Sequence, residues 1–231
     1  ASRGAPRHAR DARRVTVVAG SFCLPDRMPQ TKDAAHAPIA LRDACIVAAR
    51  EAIAEHGIEQ LSLRDVARRL GVSHQAPYKH YPSRDHLLAE VMRRCFEGFA
   101  AHLDARGQFD DPGEDLGALG RQYLDYAHRH PLEYRLMFST PWPASAAHPD
   151  LVRDAAHAFD ILRRVLRRVL GDSPLQVELV DLDALYIWSS MHGLAGVMTG
   201  NCIGQLDLAP GILEQATQHV MNRVGKGLTA G

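Results

Sequence analysis

Between positions 73 and 84 the chain gathers side chains suited to reading a nucleic-acid duplex: Ser73, Gln75, Tyr78, Lys79, His80 and Arg84. An amide such as Gln75 can pair with an adenine edge in the major groove, while cations and phenols flanking it on the same short helix can hold phosphates. Lys79 and Tyr78 fit the phosphate role, and His80 fits either a phosphate or a neighbouring side chain. Ser62 and Arg64, at the start of the preceding helix, are further phosphate candidates. Tyr81 can join them or pack its ring between helices with its hydroxyl bonded.

A second group lies in the C-terminal half. Tyr123, Met137, Phe138, Trp142, Trp188, Met191 and His192 combine large, adaptable apolar surfaces with a few polar tips. Such a lining suits a pocket for a small apolar or aromatic molecule, and it equally suits an ordinary core. His128, His130, His192 and Cys202 carry metal-ligating atoms, but no pair stands at the i, i+3 or i+4 spacing of a helical zinc pair, so no metal or other cofactor is expected. There is no Gly-x-Ser-x-Gly, phosphate-binding loop or dinucleotide fingerprint, and enzyme chemistry is not expected.

These side chains must be held by helices. Leu63, Val66, Ala67 and Leu70 recur at i, i+3, i+4 and i+7, which buries one stripe and leaves Arg64, Arg68 and Arg69 wet. Gly71 can close that helix in the left-handed conformation, Val72 fills the corner, and Ser73 can cap the next helix. Ala67 and Gly71 are small where two helices at a steep angle should nearly touch. Residues 62–81 thus predict a helix-turn-helix, with Pro77 tolerated in the opening turn of its second helix. A helix from Ile39 to His56 precedes it, and another, capped by Ser83, runs to Arg106. Beyond a Gln108–Gly113 loop, helices are expected at Glu114–Arg129, Pro131–Phe138, Asp150–Leu170, Leu175–Ile203 and Pro210–Leu228. The expected fold is all-α: a three-helix helix-turn-helix head and a C-terminal helical bundle, about nine helices in all.

The 231 residues carry 27 Lys+Arg and 27 Asp+Glu, so duplex binding must rest on a local patch and not on an overall positive field. Four scattered cysteines, Cys23, Cys45, Cys95 and Cys202, exclude a disulfide scaffold and fit a reducing cytoplasm. Ala184–Ile203 lacks Asp, Glu, Lys and Arg, yet its His192, Asn201, serines and glycines indicate burial in protein and not a membrane span. The weak apolar stretch at Val15–Leu24 is likewise not a signal peptide. Residues 1–38 lack a helical or strand period and read as a disordered arm, whose arginines are either solvated or in touch with DNA; Met28 is an alternative start of the natural chain. Residues 39–99 then form the DNA-binding head and 100–231 the second domain. Ser189, Gly193, Gly196 and Gly200 make a small-residue track that admits a close neighbour, from the same subunit or another.

Leu41–Val91 resembles the TetR family of bacterial transcriptional repressors. The likeness is carried by Ala48-Ala49 before Gly57, by Leu63, Val66 and Ala67, by Gly71-Val72-Ser73, and by Tyr78, His80-Tyr81, Ser83 and Leu87. Gln75 replaces a common family glycine and so adds a base-reading side chain, while Tyr81 stands for phenylalanine and Arg84-Asp85 for Lys-Glu. His130-Pro131, Tyr134–Phe138 and His192-Gly193-Leu194 resemble the subgroup named for a Trp-His-Gly signature, except that Trp188 stands four residues before His192. The resemblance implies a cytoplasmic homodimer joined through its last two helices. It would bind a near-palindromic double-stranded operator through DNA contacts at Ser62, Arg64, Ser73, Gln75, Tyr78, Lys79, His80 and Arg84, and a small effector in the second domain would release it. Constitutive DNA binding without an effector, or a helical carrier that no longer binds DNA, are the competing expectations.

Overall fold

The computed structural model describes residues 37–107, 109–171, 177–200 and 207–229. Residues 1–36 of the expected arm, Met28 included, lie outside the described residues, as does Cys202. Ala37 and Pro38, read as the end of the arm, begin the first helix instead.

All regular structure among the described residues is helical: α1 Ala37–His56, α2 Leu63–Arg69, α3 Arg84–Asp104, α4 Pro112–Arg129, α5 Pro131–Phe138, α6 Pro149–Leu170, α7 Val177–Thr199 and α8 Ile212–Thr229, with short 3-10 turns at Ile58–Gln60, Pro77–Lys79 and Ser145–Ala147. The expected ninth helix, the second of the helix-turn-helix, is therefore a single tight turn. Pro77 lacks an N–H, so the Ser73 carbonyl accepts from Ala76 N at 2.9 Å; Lys79 N then donates to Ala76 O at 3.3 Å, and His80 N and Tyr81 N converge on the Pro77 carbonyl at 3.0 and 2.9 Å. Ser73 does not cap this turn through its side chain: the cap position is Ala76, which has no acceptor to offer.

Local chemistry explains the boundaries. Ser62 Oγ accepts from Asp65 N at 3.1 Å and starts α2, and Ser83 Oγ accepts from His86 N at 3.3 Å and starts α3. At the end of α2, Gly71 N donates to Arg68 O and Val72 N to Ala67 O, the paired bonds of a helix closed on a left-handed residue, and Gly71 has φ 65°. A Cβ on Gly71 would meet no atom within 4 Å, so the glycine is required by its backbone angle and not by helix contact. Ala67, fully buried, keeps the close-packing role.

A continuous apolar cluster runs from Cys45 on α1 to Val224 on α8. Helix α3 threads it: Leu87, Leu88, Val91 and Met92 are buried near its start, and Phe96, Phe99 and Leu103 near its end. It packs on α1, α4, α5 and α6. Asp115 on α4 is the buried charge among the described residues; it accepts from Arg106 Nε and Arg168 Nη1, both at 2.6 Å, while Arg168 Nη2 donates to the carbonyls of Phe109 and Asp110. Two cations and a loop are thereby tied to one carboxylate, which satisfies it where water cannot.

Candidate functional site

The turn following α2 presents the polar side chains expected to read DNA. Ser73, Gln75, Tyr78 and Lys79 are exposed, His80 is half-buried, and Pro77 is buried beneath them as an anchor. Arg64 is exposed on α2 beside the Ser62 cap. Arg64 and Lys79 make no ion pair among the described residues. Arg68 and Arg69 are engaged by Asp65, and Arg69 also by Glu55 at 2.7 Å; the Arg69 hydrogen bond holds the Asp65 carboxyl below its usual range. Tyr81 proves to be packing: its ring is 3 % exposed, its hydroxyl donates to Arg42 O at 3.1 Å, and burial pushes the phenol up to about 12. Arg84, whose side chain stays about 39 % exposed, donates from Nε to Leu61 O at 3.2 Å and from Nη2 to Ile58 O at 2.6 Å, with Nη1 facing Asp85. It braces the loop between α1 and α2 against the start of α3.

At the other end of α3 a cavity of about 610 Å³ opens within the bundle. Phe96, Phe99 and Leu103 of α3 form one wall, Gly117, Gly120 and Tyr123 of α4 another, Met137 and Phe138 of α5 a third, and Phe159, Trp188, Met191 and Met221 help close it. Six of the seven expected ligand residues, Tyr123, Met137, Phe138, Trp142, Trp188 and Met191, border this space. His192 sits behind the wall, its Nδ1 at 2.6 Å from the Tyr134 hydroxyl and 3.1 Å from that of Tyr123, with the two hydroxyls 3.0 Å apart. Burial pulls the imidazole below its ordinary pKa and pushes both phenols up, Tyr134 to about 12, so the neutral ring accepts through Nδ1 while the tyrosines stay protonated. Trp142 donates its indole N–H to Met137 O at 2.9 Å, which leaves its ring face for apolar contact.

Residues 46–91 match the family profile described as bacterial regulatory proteins, tetR family, and residues 116–221 match that of the tetracyclin repressor-like C-terminal domain, about two thirds of the chain together. The chain belongs to the TetR family. Two of its relatives, the HTH-type transcriptional regulators Rv1816 of Mycobacterium tuberculosis (strain H37Rv) and Mb1846 of Mycobacterium bovis, are each 33% identical over 104 residues, 44% of this chain and 44% of theirs. The match thus spans less than half the length of these relatives. A Rhodococcus sp. RHA1 protein of unknown function shares the fold at TM-score 0.65 and 23% identity, over 87% of this chain and 98% of that one. A transcriptional regulator from the same organism does so at TM-score 0.60 and 23% identity, over 80% and 96%. No group of three His, Cys, Asp or Glu side chains that could hold a metal occurs among the described residues of this TetR-family chain. Nor is any described helix long and apolar enough to cross a membrane.

Several residues escaped the sequence reading. Tyr134, the nearest partner of His192, is 58 positions from it, and only the fold brings them together. Phe96 and Phe99 continue the apolar stripe that Leu87, Leu88, Val91 and Met92 form along α3, so one helical periodicity runs from the head to the cavity wall. Two ion pairs join the head to the bundle, Arg50 of α1 with Glu133 of α5, and Arg93 of α3 with Asp154 of α6 at 2.9 Å. Oppositely charged residues this far apart in sequence leave no local pattern.

Proposed function

We propose that this chain is a ligand-responsive, homodimeric regulator of transcription, a repressor released from a near-palindromic operator by a small apolar or aromatic molecule. The observation that carries the reading is the course of α3. Its N-terminus follows directly on the exposed Gln75, Tyr78 and Lys79, and its C-terminal half walls the 610 Å³ cavity. In this reading, residues 39–99 form the head and 100–231 the effector and dimerisation domain. Gln75 reads a base edge; Tyr78, Lys79, Arg64 and Ser62 hold phosphates; Ser73 and His80 flank them; and Arg84 acts from behind as a brace.

Dimerisation is supported by α7. Leu179, Leu182, Tyr186, Ser189, Gly193 and Gly196 follow one another at spacings of three and four and are all exposed, and no atom of the described residues lies within 4 Å of a Cβ position on Gly193 or Gly196. A second copy fits that face better than a neighbour from the same subunit. Two heads can dock together only when roughly 34–36 Å apart, one duplex turn. A molecule that binds better to a form with another separation withdraws the dimer from DNA by that differential affinity. Filling the cavity would displace α3 and α5, and the Arg93–Asp154 and Arg50–Glu133 pairs would pass the shift to the head. Access to DNA makes the cytoplasm its place of action.

The test is selection of genomic fragments by the purified chain, followed by footprinting of the enriched site and titration with candidate effectors. The expected result is a near-palindromic footprint bound by a dimer and released by an apolar compound. Binding without sequence preference, or a footprint that no compound alters, contradicts the reading.

A further inference from the structure

We propose that the cavity takes an uncharged lipophilic molecule carrying a single hydroxyl or carbonyl oxygen, with that oxygen held at Tyr123. The inference rests on the reading of this cavity as the effector site and names the chemistry of its occupant. Among the described residues no Asp, Glu, Lys, Arg or His borders the space, whose wall is aromatic rings, aliphatic side chains, methionines and glycines. An ion entering it would surrender its hydration with no opposite charge to replace it, so the wall selects against carboxylates and ammonium groups alike. Methionines at positions 137, 191 and 221 can adjust to an irregular or flexible apolar body.

Polar recognition centres on the Tyr123 hydroxyl, toward which the indole N–H of Trp188, bordering the same space, is also directed. The indole N–H of Trp142 is already given to Met137 O. Tyr123 borders the cavity and shares its hydroxyl with Tyr134 and His192 Nδ1. Because Tyr134 already donates to Nδ1 over the shortest of the three distances, 2.6 Å, the Tyr123 proton can turn toward a ligand oxygen without leaving the imidazole unpaired. The Tyr123 oxygen can equally accept from a ligand hydroxyl. Either way the ligand replaces one hydrogen bond of a relay that remains satisfied behind it.

The protein supplies its own probe, since its two tryptophans, Trp142 and Trp188, both border the cavity. Tryptophan emission of the full chain is titrated at pH 8 with decan-1-ol, sodium decanoate and decyltrimethylammonium, which share a ten-carbon chain and differ in head charge. The alcohol is expected to bind at least tenfold more tightly than either ion. Tyr123→Phe is expected to weaken the alcohol three- to tenfold while leaving 1-chlorodecane, which has no oxygen, within twofold. Equal or tighter binding of decanoate overturns the proposal and points to the Arg121 guanidinium, which lies beside Gly117. Preference for the ammonium, or no response to the alcohol up to its solubility, overturns it too. Operator release is measured separately, so alcohol binding without release would refute the effector role and leave the ligand chemistry standing.

Discussion

The turn at one end of α3 and the cavity at the other handle polar atoms in opposite ways. On the turn, Gln75, Tyr78 and Lys79 stand in water, and the groups that could neutralise them are committed elsewhere: Asp65 and Glu55 to Arg69, Asp85 to Arg84. In the bundle, the polar atoms of Tyr123, Tyr134 and His192 are turned on one another behind an apolar wall. A charged polymer can be met by side chains that stay hydrated until contact, whereas a small lipophile is held by removing water from both surfaces. Packing differs as well, since Leu87, Val91 and Met92 are fully buried near the start of α3 while its C-terminal half borders the 610 Å³ cavity.

The largest effect expected from this contrast is in stability. Leu87 is fully buried near the start of α3, and Leu87→Ala should cost about 3–4 kcal/mol, because the surrounding head can relax little into the void. Leu162 on α6 already borders the cavity and is only partly buried, so the same truncation there should cost about 1 kcal/mol. Urea unfolding midpoints of the two variants measure the difference. Equal losses would mean that the bundle is as tightly filled as the head.

Next come the contacts of the turn. Gln75→Ala should weaken the selected operator by about 1–3 kcal/mol while scarcely affecting unrelated duplexes, as removal of a base-edge contact does. Lys79→Ala should weaken all sequences alike and lower the slope of log affinity against log salt by about 1, the signature of a lost phosphate contact. Binding titrations of both variants at several salt concentrations separate the two roles. Interchanged results would reassign the residues.

Much of this contrast was legible in the sequence. Ser83 was readable as a cap because a cap is local, a short polar side chain three residues ahead of the N–H it accepts from. Six wall residues of the cavity were readable because aromatic and methionine side chains are scarce enough to stand out. The fates of Tyr81 and Arg84 were not readable. Both lie in the motif that suggests DNA contact, yet each turns to a backbone carbonyl 23 to 39 positions away, a choice that only the packing of α1 against α3 imposes. The reading helix shrank to one turn because Pro77 falls where the Ser73 carbonyl would otherwise find its i+4 donor. Proline placement is visible in sequence, but its consequence depends on which residue the turn begins with.

The smallest effect probes the buried relay by pH. Burial holds the His192 imidazole below its ordinary value of 6.5, so the unfolded chain takes up a proton there before the folded chain does. At pH 7.5 both states are neutral and His192 adds no pH dependence. As pH falls below 6.5 the unfolded state gains the proton and folded stability drops, by at most about 1.4 kcal/mol for each unit by which the folded pKa lies lower. His192→Asn keeps an acceptor near the Nδ1 position for the two tyrosine hydroxyls and cannot titrate, so it should lose less stability than the parent chain between pH 7.5 and 5.5. Unfolding free energies of the two proteins at both pH values give that difference directly, the other histidines cancelling between them. Parallel losses would mean that His192 is protonated in the folded chain, in which case Nδ1 would be a donor and the tyrosine hydroxyls would have to turn their lone pairs toward it, leaving the Tyr123 proton to face the cavity.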